Sequence, residues 1–311
     1  MRRRFRLSPW LGSVYSTILE RAMDKYFTHF PRNRSTIVAE DWDNLIILDA
    51  CRYDMFEKAN TIPGTLEHRL SKGSNTGEFF EGNFKGSQHF DTVYVTANPV
   101  PRVDEWCRVD VDTVFHDVVD VWKHYWDEEV NTVRPEPVAN AIRKASADYP
   151  DKRIIGHFIQ PHQPFIGKNG RRIEERGMTA YDKLSDKVGD TEKKVWGKLR
   201  DGELDTERVV QAYMENLELV LPHVERLCDE LVGKTVVTSD HGNLFGEFAV
   251  PFPVRRYGHP RGIHTKKLVK VPWLETGFAK RRQITSQSLD RDEIRTGEDE
   301  RLEKLKDLGY R

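Results

Sequence analysis

The sequence lacks three features that would each assign it to a particular class of protein. Its cysteines, Cys51, Cys107 and Cys228, lie far apart, form no C-x-x-C pair and are odd in number, which fits a reducing compartment better than a disulfide framework. No apolar run approaches the roughly 20 residues of a transmembrane helix. Because 49 basic residues balance 50 acidic ones, no overall basic field directs the chain to nucleic acid. We therefore expect a cytoplasmic protein without disulfides that does not bind nucleic acid.

The first 36 residues predict an amphipathic helix. Apolar residues recur at three- and four-residue spacing over residues 11–27, and Pro31 follows. We expect the apolar face to pack on or beside the core. The basic residues among positions 2–6 favour an alternative, a weak peripheral association with a membrane surface.

Short apolar runs alternate with helical patterns over the rest of the chain. The runs that predict strands are NLIILDA (44–50), DTVYVTA (91–97), RIIGHFI (153–159) and KTVVTSD (234–240). The longer patterns that predict helices are VDTVFHDVVDVWKHYW (111–126), PEPVANAIRKASADY (135–149) and TERVVQAYMENLELVLPHVERLCDELVG (206–233). This alternation predicts an α/β fold, a three-layer α/β/α sandwich with a mostly parallel central sheet.

The composition also suggests where the domain begins and ends. We expect one domain over residues 37–280, interrupted by a highly charged insertion at about 166–203. The insertion is either a lid or a solvated surface excursion, since a long charged loop needs no function. Residues 281–311 are strongly charged and predict a terminal helix or tail.

Polar residues follow three of the predicted strands. Asp49 ends the first run, His157 and His162 belong to the third, and Asp240 with His241 ends the fourth. In open α/β sheets, ligands bind outside the carboxyl ends of the strands, so these side chains are expected along one rim.

Each of these residues also has an ordinary structural explanation. Asp49 could cap the next helix, and residues 240–242 could form a polar turn. His157 lies within an apolar run and could be a hydrogen-bonded core residue. His259 and His264, in the later segment GHPRGIH, could be loop residues.

The segment SKGSNTGEFFEGNF (71–84) favours a functional site. It places Ser74 and Thr76 just before a predicted helix. A hydroxyl at a helix N-terminus is well placed to attack an anionic ester, because free backbone N–H groups hold phosphate or sulfate oxygens there. The alternative is an ordinary helix cap.

The order of these motifs resembles the alkaline phosphatase superfamily, in particular its sulfatase-like branch, which includes lipoteichoic acid synthases and phosphoethanolamine transferases. The resemblance covers residues 42–275 and implies an alkaline phosphatase-like fold. The segments that carry it are NLIILDACRYD (44–54), GSNTGEFF (73–80), HFIQPHQPF (157–165), VVTSDHGNLFGE (236–247) and GIHTKKLVKVPWLE (262–275).

The resemblance implies a divalent-metal site and a nucleophile. The implied metal ligands are Asp49, Thr76, Asp240 and His241, with Mn, Zn, Ca or Mg as the ion. Thr76 is the implied nucleophile, with Ser74 as the fallback. The turn contains no cysteine in a Cys-x-Pro-x-Arg context, which argues against a formylglycine sulfatase. A second metal is left open, since no Asp-x-x-x-His pair precedes residue 240.

The expected activity is metal-dependent hydrolysis of phosphate monoesters or diesters, or of sulfate esters. Alternatives are a transferase of phospho groups to glycans or lipid headgroups, and an inactive protein that binds such headgroups. The substrate would be a small-molecule, glycan or lipid-headgroup ester. The residues assigned to the leaving group are His162 and His264, and those assigned to substrate binding are Arg52, Lys72, His157 and His259. The sequence predicts no oligomeric state.

Overall fold

A seven-stranded sheet forms the centre of the protein. The computed structural model describes residues 18–19, 21–23, 25–27, 36–173, 184 and 194–286. The strands of the central sheet are β1 (Asn44–Leu48), β2 (Thr65–Leu70), β3 (His89–Thr96), β4 (Phe115–Asp120), β7 (Arg153–Phe158), β8 (Thr235–Thr238) and β11 (Lys270–Glu275). Two small antiparallel pairs are β5 (Trp126–Asp127) with β6 (Thr132–Val133), and β9 (Leu244–Phe248) with β10 (Arg255–Gly258).

The central sheet is mostly parallel, as predicted. Its strand order is β2-β11-β8-β1-β7-β3-β4. The five strands from β8 to β4 run parallel, whereas β11 runs antiparallel to both of its neighbours. All four strands that the sequence predicted are present, and they lie side by side as β8-β1-β7-β3.

Helices cover both faces of this sheet. They are α1 (Tyr53–Ala59), α2 (Thr76–Phe84), α3 (Val111–Val114), α4 (Trp122–Tyr125), α5 (Pro135–Asp148), α6 (Lys168–Arg171), α7 (Val195–Arg200), α8 (Thr206–Glu230) and α9 (Lys266–Val269). Along β1, Ile46 and Leu48 pack with apolar residues of α5 and α8. The alternate residues Leu45 and Ile47 pack with those of α2. Successive side chains of a strand point to opposite faces, so β1 supports both helical layers and the α/β/α prediction is confirmed.

The helix predicted over residues 111–126 is wrong. The structure divides this segment into α3, the edge strand β4 and α4. Val118 and Val119 pack against different apolar clusters, on opposite faces of the sheet. Adjacent residues can do this in a strand but not on one stripe of a helix. Pairing with β3 has therefore overridden the helical spacing.

Most of the N-terminal segment, half of the insertion and most of the tail lie outside the described residues. The described residues between positions 18 and 27 are helical, with Met23 and Phe27 buried against residues that include Leu244 and Leu268. The predicted domain bounds, the lid and the terminal helix or tail stay predictions. Within the described ranges, no helix has the length and apolarity needed to cross a membrane.

Candidate metal centre

Four side chains named by the sequence meet at the carboxyl ends of neighbouring strands. Asp49 follows β1, and Asp240 and His241 follow β8, which pairs directly with β1. Thr76 is the first residue of α2, whose cap Asn75 accepts a hydrogen bond from the backbone N–H of Glu78. We call Asp49, Thr76, Asp240 and His241 the four-residue cluster; all four side chains are buried.

The side-chain atoms of the four-residue cluster lie close to one another, and the ligand atoms of Asp49, Asp240 and His241 are all within 4.8 Å of one another. The Thr76 hydroxyl donates to Asp240 Oδ2 at 2.8 Å. His241 Nε2 lies 3.3 Å from Asp240 Oδ2 and 3.5 Å from Asp49 Oδ1. It also lies 3.4 Å from Thr76 Oγ1. The site thus brings together two carboxylates, a hydroxyl and an imidazole nitrogen at contact distance.

The tautomer of His241 leaves the two carboxylates without a hydrogen-bond donor from the ring. Its Nδ1–H donates to the carbonyl of Gly242 at 2.8 Å, so Nε2 of the neutral ring carries a lone pair rather than a proton. Nε2 therefore cannot donate to either carboxylate. Asp49 Oδ1 is buried and has no hydrogen-bond partner among the described residues. The lone pairs of the imidazole and of the carboxylates therefore face one another in a buried site, an arrangement that suits binding of a divalent cation.

Burial shifts the pKa of each titratable group of the cluster towards its uncharged form. It raises the pKa of Asp49 well above the ordinary value of 3.8, and the charge of Asp240 raises it further. Burial also raises the pKa of Asp240 and lowers the pKa of His241 to about 3. Two adjacent buried carboxylates without a counter-charge are costly. A divalent ion would remove that cost, and the mixed oxygen and nitrogen donor set suits Mn or Zn and admits Ca or Mg.

Two glycines allow the backbone to approach closely at this site. A Cβ at Gly77 would lie 1.9 Å from the carbonyl oxygen of Trp106, and one at Gly242 would lie 2.1 Å from that of Lys267. Neither position tolerates a side chain without movement of the backbone. Gly242 is thus needed for close packing against α9, directly behind the cluster.

Asn98 is a site residue that the sequence reasoning missed. It follows β3, and its Nδ2 donates to Asp49 Oδ2 at 2.5 Å and lies 3.5 Å from Thr76 Oγ1. The same rule that selected Asp49, a polar residue just beyond an apolar strand, applies to Asn98 at the end of the run 91–97.

Two further histidines lie beside the cluster. His162 Nδ1 donates to the carbonyl of Gln163, so its Nε2 accepts from His259 Nε2 at 2.9 Å. The His259 ring centroid is 4.7 Å from that of His241. Burial lowers the pKa of His162 and of His259 to about 3 each, so both rings are neutral near pH 7.

A cavity of about 430 Å³ opens from the four-residue cluster. Its walls combine indole rings and small apolar groups with a few charged side chains. The lining residues are Asp49, Asn75, Thr76, Gly77, Val100, Glu105, Trp106, His162, Gln163, Lys194, Trp196, His259 and Arg261. Trp196 comes from α7, at the end of the predicted insertion, and its ring contacts Phe165 and Phe245.

Ser74 and His264 lie in a separate hydrogen-bonded group, which we call the Glu78 network. Glu78 Oε2 accepts from the backbone N–H and hydroxyl of Ser74, at 2.9 and 2.7 Å, and lies 3.2 Å from His264 Nε2. Glu78 Oε1 accepts from the N–H of Gly262 at 2.9 Å. Ser74 therefore does not share the environment of Thr76, and His264 is engaged by a carboxylate.

The remaining predicted residues are not brought to the cavity wall. Arg52 pairs with Asp54 at 2.7 Å and with Glu247 at 2.5 Å, and its side chain is only 5% exposed. Lys72 lines a small crevice on the other side of α2. His157 is buried behind the cluster, with Nδ1 2.9 Å from the hydroxyl of Tyr94. The geometry gives these three no direct access to a bound ester.

No family model matches the chain, and no curated protein matches it significantly. Among solved structures it is similar to the soluble domain of lipooligosaccharide phosphoethanolamine transferase A from Neisseria meningitidis, at 13% identity and a TM-score of 0.41 over 78% of this chain and 79% of that one. It is similar to an alkaline phosphatase superfamily protein from Vibrio parahaemolyticus, at 13% identity and a TM-score of 0.40 over 87% and 70% of the two chains.

The chain is also similar to the lipoteichoic acid synthase LtaP from Listeria monocytogenes, at 10% identity and a TM-score of 0.41 over 85% and 72% of the two chains. The superfamily that the sequence motifs resemble is therefore represented among these structures. Because identity is low and the TM-scores are below 0.5, the similarity concerns the fold, and nothing about substrate or activity is taken from it.

Proposed function

We propose that the protein is a divalent-metal-dependent enzyme that cleaves a phosphate ester through Thr76 and passes the phospho group to an alcohol. The sequence analysis expected hydrolysis and gave transfer to an alcohol as an alternative. The observation that carries the proposal is the four-residue cluster, in which the Nε2 lone pair of His241 faces both the Thr76 hydroxyl and the unpartnered Asp49 Oδ1. That donor set is incomplete without a cation.

The four-residue cluster would hold the ion, and Asn98 would orient Asp49 within it. When bound, a divalent ion lowers the pKa of a coordinated hydroxyl and neutralises charge on the ester oxygens. Thr76 then attacks phosphorus, its proton passing along the existing hydrogen bond to Asp240 Oδ2. The bond from phosphorus to the leaving oxygen breaks as the bond to Thr76 forms. The product is a phosphothreonine on the protein.

The two histidines beside the cluster would position the leaving oxygen. His259 Nε2–H, which donates to His162 in this structure, would donate a hydrogen bond to that oxygen, which takes its proton from solvent. The acceptor alcohol then loses its proton to solvent as its oxygen attacks the phosphothreonine. The bond to Thr76 breaks, and Asp240 gives the proton back to the hydroxyl. Because burial keeps both imidazoles neutral near pH 7, they act here as hydrogen-bond partners and not as proton carriers.

The size and walls of the cavity admit an alcohol as the acceptor. About 430 Å³ beside the nucleophile accommodates an organic group, that of the ester or that of an acceptor alcohol. Trp106 and Trp196 supply apolar walls, Lys194 and Glu105 supply charges of opposite sign, and the charge of Arg261 is paired with Glu81. These surfaces fit an ester of a glycan or lipid headgroup, with its anionic phosphate at the cluster.

The test is turnover by protein that has been stripped of metal and then reloaded with Mn, Zn, Ca or Mg, one at a time. Activated phosphodiesters, phosphomonoesters and sulfate esters are offered with and without added glycerol as acceptor. We expect phosphodiester turnover that needs the ion, and glycerol phosphate ester among the products. Release of inorganic phosphate or free monoester alone would assign hydrolysis instead.

Thr76→Ala and Ser74→Ala form the matched pair of variants. Loss of a covalent nucleophile typically lowers kcat by at least about 10³-fold, so Thr76→Ala should abolish turnover and the phosphothreonine seen by mass spectrometry. Ser74→Ala removes a hydroxyl only two residues away, in the Glu78 network, and should keep most of the activity. Equal effects of the two variants, or failure of the wild type to bind any divalent ion, would overturn the proposal.

A further inference from the structure

The hydroxyl of Tyr213 lies under the loop that carries Asp49. Tyr213 is a fully buried residue of α8. Its hydroxyl donates to the carbonyl of Ala50 at 2.8 Å and accepts from the backbone N–H of Arg52 at 2.9 Å. One side chain thus bridges the loop directly behind a proposed metal ligand, from an element more than 160 positions away in the chain.

This bridge is part of a continuous set of contacts. The three backbone N–H groups that follow Asp49 each donate to a side chain from elsewhere in the chain. The N–H of Ala50 donates to Asp240 Oδ1 at 3.0 Å, and that of Cys51 donates to Ser239 Oγ at 2.8 Å. The third, that of Arg52, donates to Tyr213. Ser239 Oγ in turn donates to the carbonyl of His241 at 2.6 Å. The two loops that carry the ligands are therefore bonded to each other on one side, and Tyr213 holds the first loop from α8.

The loop has a backbone conformation that needs support. Ala50 has a φ of 57°, in the left-handed region that is unfavourable for a residue with a Cβ. Such a conformation persists only where surrounding contacts over-determine it. The Tyr213 hydroxyl binds the carbonyl of Ala50 itself and the N–H of Arg52, so it holds the strained residue and the chain that follows it.

We propose that Tyr213 is a positioning residue for the metal site: its hydroxyl holds the strained Ala50 turn so that the Asp49 carboxylate stays within reach of Asp240 and His241. The inference rests on the proposed metal-dependent function. It assigns a role to a residue of α8 that touches neither the ion nor the ester.

Tyr213→Phe removes both hydrogen bonds and keeps the ring that packs against Phe245. The N–H of Arg52 and the carbonyl of Ala50 then lack a partner in a buried site. Relaxation of the turn moves Asp49 away from the other ligands. Loss of a residue that orients a metal ligand typically lowers metal affinity by about 10–100-fold, and we expect an effect of that size.

The direct measurement is the dissociation constant for Mn²⁺ or Zn²⁺, by calorimetric titration of stripped protein. Tyr149→Phe is the matched control, because its hydroxyl donates a hydrogen bond to Asp117 Oδ2 at 2.7 Å, on the edge strand β4. We expect a Kd raised by about 10–100-fold for Tyr213→Phe and unchanged for Tyr149→Phe, with kcat largely restored at saturating metal. A Kd within twofold of the wild type in folded Tyr213→Phe would overturn the inference.

A second pair of variants tests the strain itself. In an Ala50→Gly background the left-handed turn carries no Cβ penalty, so adding Tyr213→Phe should raise the Kd by a smaller factor than in the wild type. The same factor in both backgrounds would show that Tyr213 does not act through Ala50. If Tyr213→Phe does not fold, Ser239→Ala, which removes the acceptor of the Cys51 N–H, should weaken metal binding in the same direction.

These outcomes separate the inference from the proposed function. A wild-type protein that binds no divalent ion would end both. A wild type that binds the ion, with turnover that depends on Thr76 but is indifferent to Tyr213, would end only the positioning role.

Discussion

The four-residue cluster and the Glu78 network contain the same kinds of polar group, but only in the Glu78 network is every carboxylate oxygen matched by a hydrogen-bond donor. Each combines a carboxylate, a hydroxyl and an imidazole at the start of α2. In the Glu78 network, both carboxylate oxygens accept hydrogen bonds, from Ser74, Gly262 and His264. In the four-residue cluster, the imidazole presents a lone pair to two carboxylates.

Whether donors and acceptors are matched distinguishes a structural polar group from a functional one. Buried polar groups of a folded protein are normally matched, donor to acceptor. The Glu78 network meets that condition without any ligand and ties the segment 260–264 to α2. The four-residue cluster meets it only when a cation is added. Residue type alone therefore does not identify the site; the balance of donors and acceptors does.

The largest effect we expect comes from removing one imidazole from each group. His241→Ala takes away a nitrogen that no neighbouring group replaces, and should weaken binding of the divalent ion by at least about 10²-fold, more than a residue that only supports a ligand. His264→Ala should leave the Kd within about twofold, because His264 contacts Glu78 and not the ion. Titration of the stripped variants gives both constants.

Either of two results would break the comparison. One is a His264→Ala variant that loses metal as severely as His241→Ala, since the Glu78 network would then be part of the metal site. The other is a His241→Ala variant that binds metal normally. Circular dichroism on both proteins controls for loss of the fold.

The second expected effect is on the pH dependence of stability. A carboxyl whose pKa is raised on folding stabilises the native state below its unfolded pKa, and that contribution is lost as pH rises through the folded pKa. The pKa of Asp49 and that of Asp240 are both raised above 3.8, chiefly by burial. Burial lowers the pKa of His162, His241 and His259 to about 3 each, so their contribution to stability rises with pH and is complete above about pH 6.5. The contribution of the two carboxyls to the stability of the metal-free protein has the opposite sign and should fall as pH rises above about 4, by up to about 1.4 kcal/mol per unit for each group.

Bound metal should abolish this loss, because the carboxylates then face a cation. The gap in Tm between loaded and stripped protein is expected to widen from pH 5 to pH 8. Glu78 has the opposite sign: burial opposes the shift, but hydrogen bonds from His264 and Ser74 outweigh it and lower its pKa to about 2. Its contribution is constant above pH 5. A gap that stays the same across this range would contradict the pairing of Asp49 with Asp240.

The sequence predicted the centre of the fold and the members of the cluster for a common reason. Continuous apolar runs mark buried parallel strands, and polar residues directly after them mark the rim where ligands bind. That rule made Asp49, Asp240 and His241 candidates, and the start of a predicted helix made Ser74 and Thr76 candidates. Their grouping as metal ligands, with Thr76 as the nucleophile, came from the resemblance to the alkaline phosphatase superfamily.

The rest depended on contacts between distant segments. Ser74 and Thr76 could not be separated because the partner of Ser74, Glu78, is engaged from residues 260–264, far along the chain. Arg52 was assigned to substrate, but Glu247 pairs with it from 195 positions away. The strand β4 was taken for helix because its pairing with β3 leaves no periodic mark. Hydrogen-bond partners of this kind are fixed only by the tertiary structure.

The smallest effect we expect concerns Asn98, which the sequence reasoning missed. Asn98→Ala removes the donor to Asp49 Oδ2 but leaves every atom of the four-residue cluster in the chain. Loss of a partner that orients a ligand should raise the metal Kd by about 10-fold, at the low end for such residues. Because Nδ2 also lies 3.5 Å from Thr76 Oγ1, kcat at saturating metal should fall by a similar factor.

Asn83 provides the matched control for this prediction. It is also a buried asparagine with two hydrogen bonds, accepting from the N–H of Ile37 at 3.0 Å and donating to the carbonyl of Phe79 at 2.8 Å. Asn83→Ala should lower the Tm without changing the metal Kd of the folded protein. If Asn98→Ala shows only that same pattern, Asn98 belongs with the matched polar groups of the interior, and the boundary of the functional site lies at the four-residue cluster itself.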